Sequence, residues 1–120
     1  MGKLTTHVLD TANGCPAAGM AVRLYPLDGN GAEGPKWLLS QRLNADGRAD
    51  GPLLEGAGLT AGRYRLVFEV AAYFRARGQA LPEPAFLDEV PLDFGIADED
   101  SLYHVPLLAS PWSYSTYRGS

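Results

Sequence analysis

The sequence predicts an all-β sandwich with one short helix, and three observations lead to this fold class. Short segments rich in β-branched, aromatic and leucine residues alternate with closely spaced turn clusters. Apolar and polar side chains alternate most clearly over residues 63–70. The chain has 120 residues, enough for one domain that buries roughly two thirds of its unfolded surface. We therefore predict a single domain over residues 1–120.

Turn residues divide the chain into about eight predicted strands. Asn-Gly at residues 13–14 and Asp-Gly at residues 28–29 and 46–47 are strong turn signals. In chain order, the predicted strands cover residues 4–10, 20–27, 36–44, 52–55, 63–70, 86–94, 102–108 and 112–118. Long loops are expected at residues 29–35 and 78–85.

One helix is predicted over residues 71–77. This stretch contains good helix formers and no proline, and Gly78 stands where a glycine ends a helix in the left-handed conformation. Pro82 and Pro84 then lead into the next predicted strand.

The composition excludes several classes of function. A net charge of −4 and a pI near 5.0 leave no broad basic surface, so nucleic acid is not an expected partner. The single cysteine, Cys15, excludes an intrachain disulfide framework. No apolar run approaches the roughly 20 residues that cross a bilayer. The first residues lack the charged and apolar regions of an export signal, so we expect a cytoplasmic protein.

Both histidines of the chain lie in the middle of predicted strands. Because alternate side chains share a face, His104 points away from the apolar face that carries Tyr103, Val105 and Leu107. His7 likewise lies opposite Leu4, Thr6 and Val8. Either histidine alone fits a surface or core position, but the pair at opposite ends of the sequence predicts a shared polar site on the outside of a sheet.

Two further segments are candidates for this polar site. Arg48 follows a turn that contains a glycine. It is either a solvated loop residue or a residue whose guanidinium N–H groups bind a carbonyl or an anion. In the last strand Tyr114, Thr116, Arg118 and, if extended backbone continues, Ser120 share a face, which we expect to join the faces of the histidines.

Other chemistries are poorly supported by the sequence. Two histidines without a third ligand at suitable spacing fall short of a zinc site, so no metal is expected. There is no Gly-x-Ser-x-Gly motif for a serine nucleophile. Cys15 lies in a turn without a basic partner that would activate its thiol.

The polar C-terminus carries the most specific signal. Tyr117-Arg118-Gly119-Ser120 places several hydrogen-bonding groups beside the terminal carboxylate and suits a small polar ligand. With this ending, three stretches at residues 6–10, 13–17 and 45–48 and the run of residues 103–116 closely resemble the 5-hydroxyisourate hydrolases, a transthyretin-like family of purine breakdown. The resemblance spans essentially the whole chain.

This resemblance implies a fold, an assembly and a reaction. The fold is a transthyretin-like sandwich of two four-stranded antiparallel sheets with one short helix, assembled as a homotetramer with sites where subunits meet. The reaction is the hydrolytic ring opening of 5-hydroxyisourate to 2-oxo-4-hydroxy-4-carboxy-5-ureidoimidazoline, without a cofactor. The implied catalytic residues are His7, Arg48, His104 and Ser120, and the implied substrate-binding residues are His7, Arg48, Tyr117 and Arg118. Which histidine is the general base stays open.

Two other functions compete with hydrolysis. A transthyretin-like binding protein would carry an apolar or aromatic ligand without turning it over, because one fold hosts several functions. The basic and ionisable side chains of His7, Arg48, His104 and Arg118 favour the enzyme. A β-sandwich adhesion module gives no reason for the terminal motif.

Overall fold

The computed structural model describes residues 2–28 and 38–119, which form two β-sheets and one α-helix. The strands are β1 Lys3–Asp10, β2 Cys15–Pro16, β3 Ala21–Pro26, β4 Leu39–Arg42, β5 Leu54–Glu55, β6 Gly62–Glu69, β7 Glu89–Ile96, β8 Leu102–Ala109 and β9 Tyr114–Thr116. Helix α1, Val70–Ala76, follows β6 directly. A short 3₁₀ turn, Gly56–Gly58, follows β5. No helix in the described ranges is long and apolar enough to cross a membrane.

The two sheets confirm the predicted sandwich but differ from the prediction in one pairing and in strand number, because the first sheet has five strands where four were expected. The first sheet has the order β2-β1-β8-β9, with β5 added to the start of β1, and the second has the order β4-β3-β6-β7. β1 and β8 pair in parallel, whereas every other pair within the described residues is antiparallel. The expectation of purely antiparallel sheets is therefore wrong at β1–β8. These strands come from opposite ends of the chain, so no hairpin forces them to run in opposite directions.

A continuous apolar core lies between the sheets. Its largest fully buried side chains include Phe68 of β6, Phe74 of α1, Leu4 of β1 and Leu107 of β8. Burial of apolar surface contributes about 25 cal/mol per Å² and drives the alternate residues of each strand to one face. This core fixes which face of the β1–β8 pair is left on the outside.

Strand β6 ends one residue earlier than predicted, because the helix begins at Val70. Four residues of α1 are buried: Val70, Ala71, Tyr73 and Phe74. The end of β6 also sets the start of β7, since Glu69 pairs with Glu89 at the last register position. The predicted strand over residues 86–94 therefore starts three residues and ends two residues too early. Gly78, with φ +91°, adopts the left-handed conformation that was predicted to follow the helix.

Four other predicted strands are shorter in the structure. Of the predicted residues 20–27 and 52–55, β3 covers Ala21–Pro26 and β5 covers Leu54–Glu55. β4 covers only Leu39–Arg42 of the predicted residues 36–44, and residues 36 and 37 lie outside the described ranges. The last strand pairs with β8 only over Tyr114–Thr116, within the predicted residues 112–118. The long loop predicted at residues 29–35 also lies outside the described ranges.

A buried carboxylate joins the end of β1 to helix α1. Asp10, 1% exposed, accepts hydrogen bonds from the Asn13 backbone N–H at 2.9 Å and from the Tyr73 hydroxyl at 2.8 Å. Arg77 Nε lies 3.7 Å from the same carboxylate. Burial acts to raise the pKa of Asp10, but the hydrogen bonds from Asn13 and Tyr73 and the charge of Arg77 hold it below its usual value. Burial and then the Asp10 carboxylate raise the pKa of Tyr73.

Replacing Tyr73 with Phe should test this connection. Y73F removes a hydrogen bond to a charged group and should lower the free energy of unfolding by about 1.5–3 kcal/mol, measured by urea denaturation at neutral pH. The contribution of the carboxylate should be complete above about pH 3.9, the pKa of an unfolded aspartate, and should be lost as the pH falls through the lower folded-state pKa. Y64F, which removes the 2.6 Å bond to the neutral carbonyl of Thr60, is the matched control and should cost less. Equal losses for the two variants would contradict the role of Asp10.

Candidate active site

The parallel pairing of β1 and β8 places both histidines on one outer sheet face. Thr5 pairs with His104, and His7 pairs with Pro106 two positions further along. Strand spacing and rise put the Cα atoms of the two histidines about 8 Å apart. Leu4, at 0% exposure, and Tyr103, at 7%, lie on the core side of the same strands. The two histidines are half-buried and point away from the core, as the alternation predicts.

Arg48 is brought to His7 by a hydrogen-bonded turn. The Asn44 side-chain oxygen accepts the backbone N–H groups of Asp46 at 2.9 Å and Arg48 at 3.2 Å, and the Asn44 N–H donates to the Arg48 carbonyl at 2.7 Å. Arg48 then forms an isolated antiparallel bridge with His7. An exposed loop residue thereby acquires a fixed backbone position beside an imidazole.

Glycine is required at the contact between this turn and β1. The Val8 N–H donates to the Gly47 carbonyl at 2.9 Å. Gly47 has φ +74°, and a Cβ there would lie 2.5 Å from the Val8 carbonyl oxygen. Both the backbone conformation and the close approach exclude a side chain.

Residues from both ends of the chain contact His104. Thr5 Oγ1 lies 2.8 Å from His104 Nδ1. Gly119 donates its N–H to the His104 carbonyl at 2.8 Å, and a Cβ on Gly119 would lie 2.5 Å from His104 Cδ2. The terminal segment therefore runs against His104. Ser120, the last of the four predicted catalytic residues, lies outside the described residues.

Arg118 lies on the other side of β8 from His104. Its guanidinium stacks 4.3 Å from the centre of the buried Tyr103 ring and donates to the Leu102 carbonyl at 3.0 Å. Thr116 pairs with Leu107, a core residue, so alternate residues of the terminal segment follow the core side. The expectation that the face of Arg118 joins the faces of the histidines is therefore wrong within one chain.

Tyr117, the other predicted substrate-binding residue of the terminus, is 60% exposed. Its role and that of Arg118 stay predictions.

A depression of about 350 Å³ opens on the outer face beside His104. It is lined by Lys3, Thr5, Arg48, Leu102, Tyr103 and His104. The lining combines an imidazole, a guanidinium and an ammonium group, which suits a small molecule rich in carbonyl oxygens or bearing negative charge. Within residues 2–28 and 38–119 no three His, Cys, Asp or Glu side chains come together as metal ligands.

Both imidazoles are held in the neutral form near pH 7. Burial lowers the pKa of His104, and the charge of Arg48 and the neighbouring His7 lower it further. Burial and then Arg48 lower the pKa of His7, against an opposing effect of the backbone and carboxylate of Asp46. A neutral imidazole can accept a proton, so either histidine is competent as a general base.

Sequence reasoning placed Gly119 in the terminal motif but gave no role to Thr5 or Asn44, and all three residues shape this site. Thr5 bonds to His104, Gly119 packs against its ring, and Asn44 organises the turn of Arg48. The Asn-x-x-Gly pattern at residues 44–47 was a usable signal, because asparagine side chains commonly hydrogen-bond to the backbone of a turn. Thr5 had no signal in the sequence, since its partner is 99 positions away.

A β-sandwich that gathers two neutral imidazoles and a guanidinium on one outer face is equipped for proton transfer to a small polar molecule. The sequence profile of the HIUase/Transthyretin family matches residues 4–119. The 5-hydroxyisourate hydrolase 2 of Rhizobium meliloti (strain 1021) is 59% identical over 99% of this chain and 97% of its own length. The chain belongs to the HIUase/Transthyretin family.

Solved structures agree with this assignment. The structure of Klebsiella pneumoniae 5-hydroxyisourate hydrolase superposes with a TM-score of 0.80 at 34% identity, over 100% of both chains. The crystal structure of (S)-allantoin synthase superposes with a TM-score of 0.92 at 47% identity over 99% of this chain, which spans 44% of that longer chain. The predicted transthyretin-like fold is confirmed.

Removal of the Arg48 charge should raise the pKa of both histidines. In R48Q the repulsion between the guanidinium and each imidazolium is lost, so both pKa values should move up toward the usual value of about 6.5. NMR titration of the ring protons in the ligand-free protein measures the two midpoints. R42Q is the control, because Arg42 is bonded at 3.1 Å to the Gly19 carbonyl and should leave both midpoints unchanged. Unchanged midpoints in R48Q would show that Arg48 does not face the histidines.

Proposed function

We propose that this protein hydrolyses 5-hydroxyisourate to 2-oxo-4-hydroxy-4-carboxy-5-ureidoimidazoline, without a cofactor, in purine and urate breakdown. The single observation that carries the proposal is the convergence of His7, Arg48 and His104 on one outer face of the β1–β8 pair. Three distant parts of the chain supply these groups. The family membership and the full-length likeness to proteins named 5-hydroxyisourate hydrolase support the same reaction.

The proposed chemistry divides between the two histidines and the arginine. One neutral imidazole takes a proton from water as the water oxygen attacks a carbonyl carbon of the six-membered ring. Arg48 polarises that carbonyl and stabilises the negative charge that develops on its oxygen. The ring C–N bond then breaks, and the proton taken from water is passed to the leaving nitrogen, either from the first histidine while the other orients the water, or through the other histidine. Burial and the Arg48 charge favour the neutral imidazole that the first step needs.

The terminal segment completes the proposed site. The Ser120 hydroxyl would orient a histidine or the water. Support comes from Gly119, the preceding residue, which bonds to the His104 backbone and packs against its ring. Arg118 holds Tyr103 and the Leu102 carbonyl in one chain, so contact of Arg118 with substrate requires a neighbouring subunit or a rearrangement of the segment.

We also propose a homotetramer, with the depression facing a channel between subunits, and a cytoplasmic location. Each sheet ends in a strand with an unpaired edge among the described residues, β9 in the first and β7 in the second. Such edges favour association with another copy of the chain. Light scattering tests the assembly, and cell fractionation tests the location.

A carrier of apolar ligands is the second candidate, and one observation favours it. A cavity of about 250 Å³ opens between the edges of the two sheets and is lined partly by Leu92, Phe94, Tyr103 and Val105. The lining of this cavity contains neither histidine. Convergence of ionisable groups on the outer face is a feature that a carrier does not need, so we favour the hydrolase.

The test follows the ultraviolet decay of freshly made 5-hydroxyisourate, which also decays unaided. Wild-type protein should accelerate the decay, and H104A should lose about 10²-fold or more of that acceleration, the lower range for a positioned acid or base. R42Q, a change of charge away from the depression, should keep the wild-type rate. A wild-type rate equal to the spontaneous rate would refute the hydrolase, and saturable binding of an apolar ligand would then favour the carrier.

Alanine at position 119 should impair the reaction without unfolding the protein. The added methyl group would lie 2.5 Å from His104 Cδ2, so either the ring or the terminal segment must move. A displacement of about 1 Å can cost about 10²-fold in rate, and kcat/KM of G119A should fall toward that extent. G58A is the matched control, because nothing lies within 4 Å of a Cβ at that position. Full activity of G119A would show that the terminal segment does not confine His104.

A further inference from the structure

We propose that Thr5 is a positioning residue for His104: its hydroxyl holds the imidazole through Nδ1 and leaves Nε2 for proton transfer. This inference rests on the proposed hydrolase function, which it deepens. It assigns a role to the first threonine of Thr5-Thr6-His7, whose second threonine faces the core.

The contact is built into the sheet. Thr5 and His104 are direct partners in the parallel register of β1 and β8, so their side chains project from the same face at neighbouring positions. The distance of 2.8 Å between Oγ1 and Nδ1 is that of a hydrogen bond, and both side chains are half-buried. Threonine is β-branched and restricted at χ1, which limits the orientations of its hydroxyl group.

The chemistry of a hydroxyl suits a histidine that must gain and lose a proton. A hydroxyl can donate to Nδ1 when that nitrogen carries a lone pair, and it can accept from Nδ1 when that nitrogen carries the proton. When Nδ1 carries the proton and donates to Oγ1, Nε2 holds the lone pair that takes a proton, and the bond is kept in the imidazolium form. A carboxylate partner would instead favour the imidazolium form and raise the pKa of the ring.

The charges around His104 are consistent with a neutral partner. From β1, Lys3 and His7 share the outer face with Thr5, and from the turn Arg48 approaches the same face. Gly119, on the side of the terminal segment, contributes no side chain. Burial and the neighbouring Arg48 and His7 lower the pKa of His104, and no carboxylate acts on it from the described residues. Thr5 thus fixes the ring without adding charge.

The remaining freedom of the ring is limited by Gly119, which packs against the Cδ2 edge. With Nδ1 bonded to Thr5 and one ring edge covered, Nε2 is the nitrogen left to exchange a proton with substrate or water. The two contacts come from opposite ends of the chain and act on one imidazole.

The experiment compares T5V, which keeps the shape of the side chain and removes the hydroxyl, with T5S, which keeps the hydroxyl. T5V should lower kcat/KM by up to about 10²-fold, mainly through kcat, as expected when a reacting group is misplaced. T5S should recover most of the wild-type activity. In the ligand-free protein, T5V should also change the ring-nitrogen NMR shifts of His104 that report which nitrogen carries the proton, and T5S should leave them near the wild-type values.

T6V is the matched control, because Thr6 lies next to Thr5 and faces the core, where its hydroxyl donates to the Val105 carbonyl at 2.7 Å. T6V should lower stability and keep the His104 ring spectrum, which separates a loss of packing from a loss of positioning. A T5V protein with wild-type kcat and an unchanged His104 spectrum would overturn the proposal, as would a T5S protein as impaired as T5V.

The two proposals can fail separately. If wild-type protein does not accelerate the decay of 5-hydroxyisourate, the hydrolase proposal fails, and the ring spectrum alone decides whether Thr5 orients His104. If wild-type protein is active and the spectrum of T5V is unchanged, the positioning role fails and the hydrolase stands.

Discussion

The parallel register between β1 and β8 is the constraint on which the site depends. It sets Thr5 opposite His104 and places His7 on the same outer face, two positions along. A shift of one residue would turn the polar face of one strand toward the core and expose its apolar residues. Burial of those apolar residues therefore prevents such a shift. A shift of two residues would keep the faces but separate Thr5 from His104. The geometry of the outer site is therefore held by the packing on the inner side of the same strands, where Leu4 and Leu107 are fully buried.

Strand β1 is held along most of its length, which makes it a rigid support for His7. β5 and β8 flank its beginning, the Gly47 carbonyl accepts the Val8 N–H, and β2 pairs with Leu9 and Asp10. At its end, the Asp10 carboxylate binds the hydroxyl of Tyr73 in α1. Sites on such elements keep their geometry better than sites on loops. Arg48 comes from a turn, but its backbone is pinned by Asn44 and by the bridge to His7.

Most strands, the helix and the outward direction of both histidines were predictable from the sequence, because side-chain alternation reports directly which face is buried. Strand β2 was not, since Cys15 and Pro16 were predicted to lie in a turn. The parallel direction of β1 and β8 and the register between them were not predictable. The alternation of side chains along one strand carries no information about which strand pairs with it. Arg118 illustrates the difference. The sequence correctly predicted that Arg118 and Thr116 share a face. The side of the sheet on which this face lies depends on the pairing of Thr116 with Leu107, which only the folded chain reveals. The convergence of His7, Arg48 and His104 was implied by the family resemblance, whereas Thr5 needed the register itself.

The pleat of β1 also places a charged carboxylate and a neutral imidazole on opposite faces of one strand. His7 and Asp10 are three residues apart, an odd spacing that sends their side chains to opposite faces. On the core side, hydrogen bonds from Asn13 and Tyr73 outweigh burial and keep Asp10 charged. On the outer side, burial and Arg48 keep His7 and His104 neutral, and the contact to His104 is an uncharged hydroxyl. The Asp46 carboxylate favours the imidazolium form of His7, but burial and the Arg48 charge outweigh it. One strand thus supplies a charged structural anchor and a neutral proton acceptor because its two faces are kept apart.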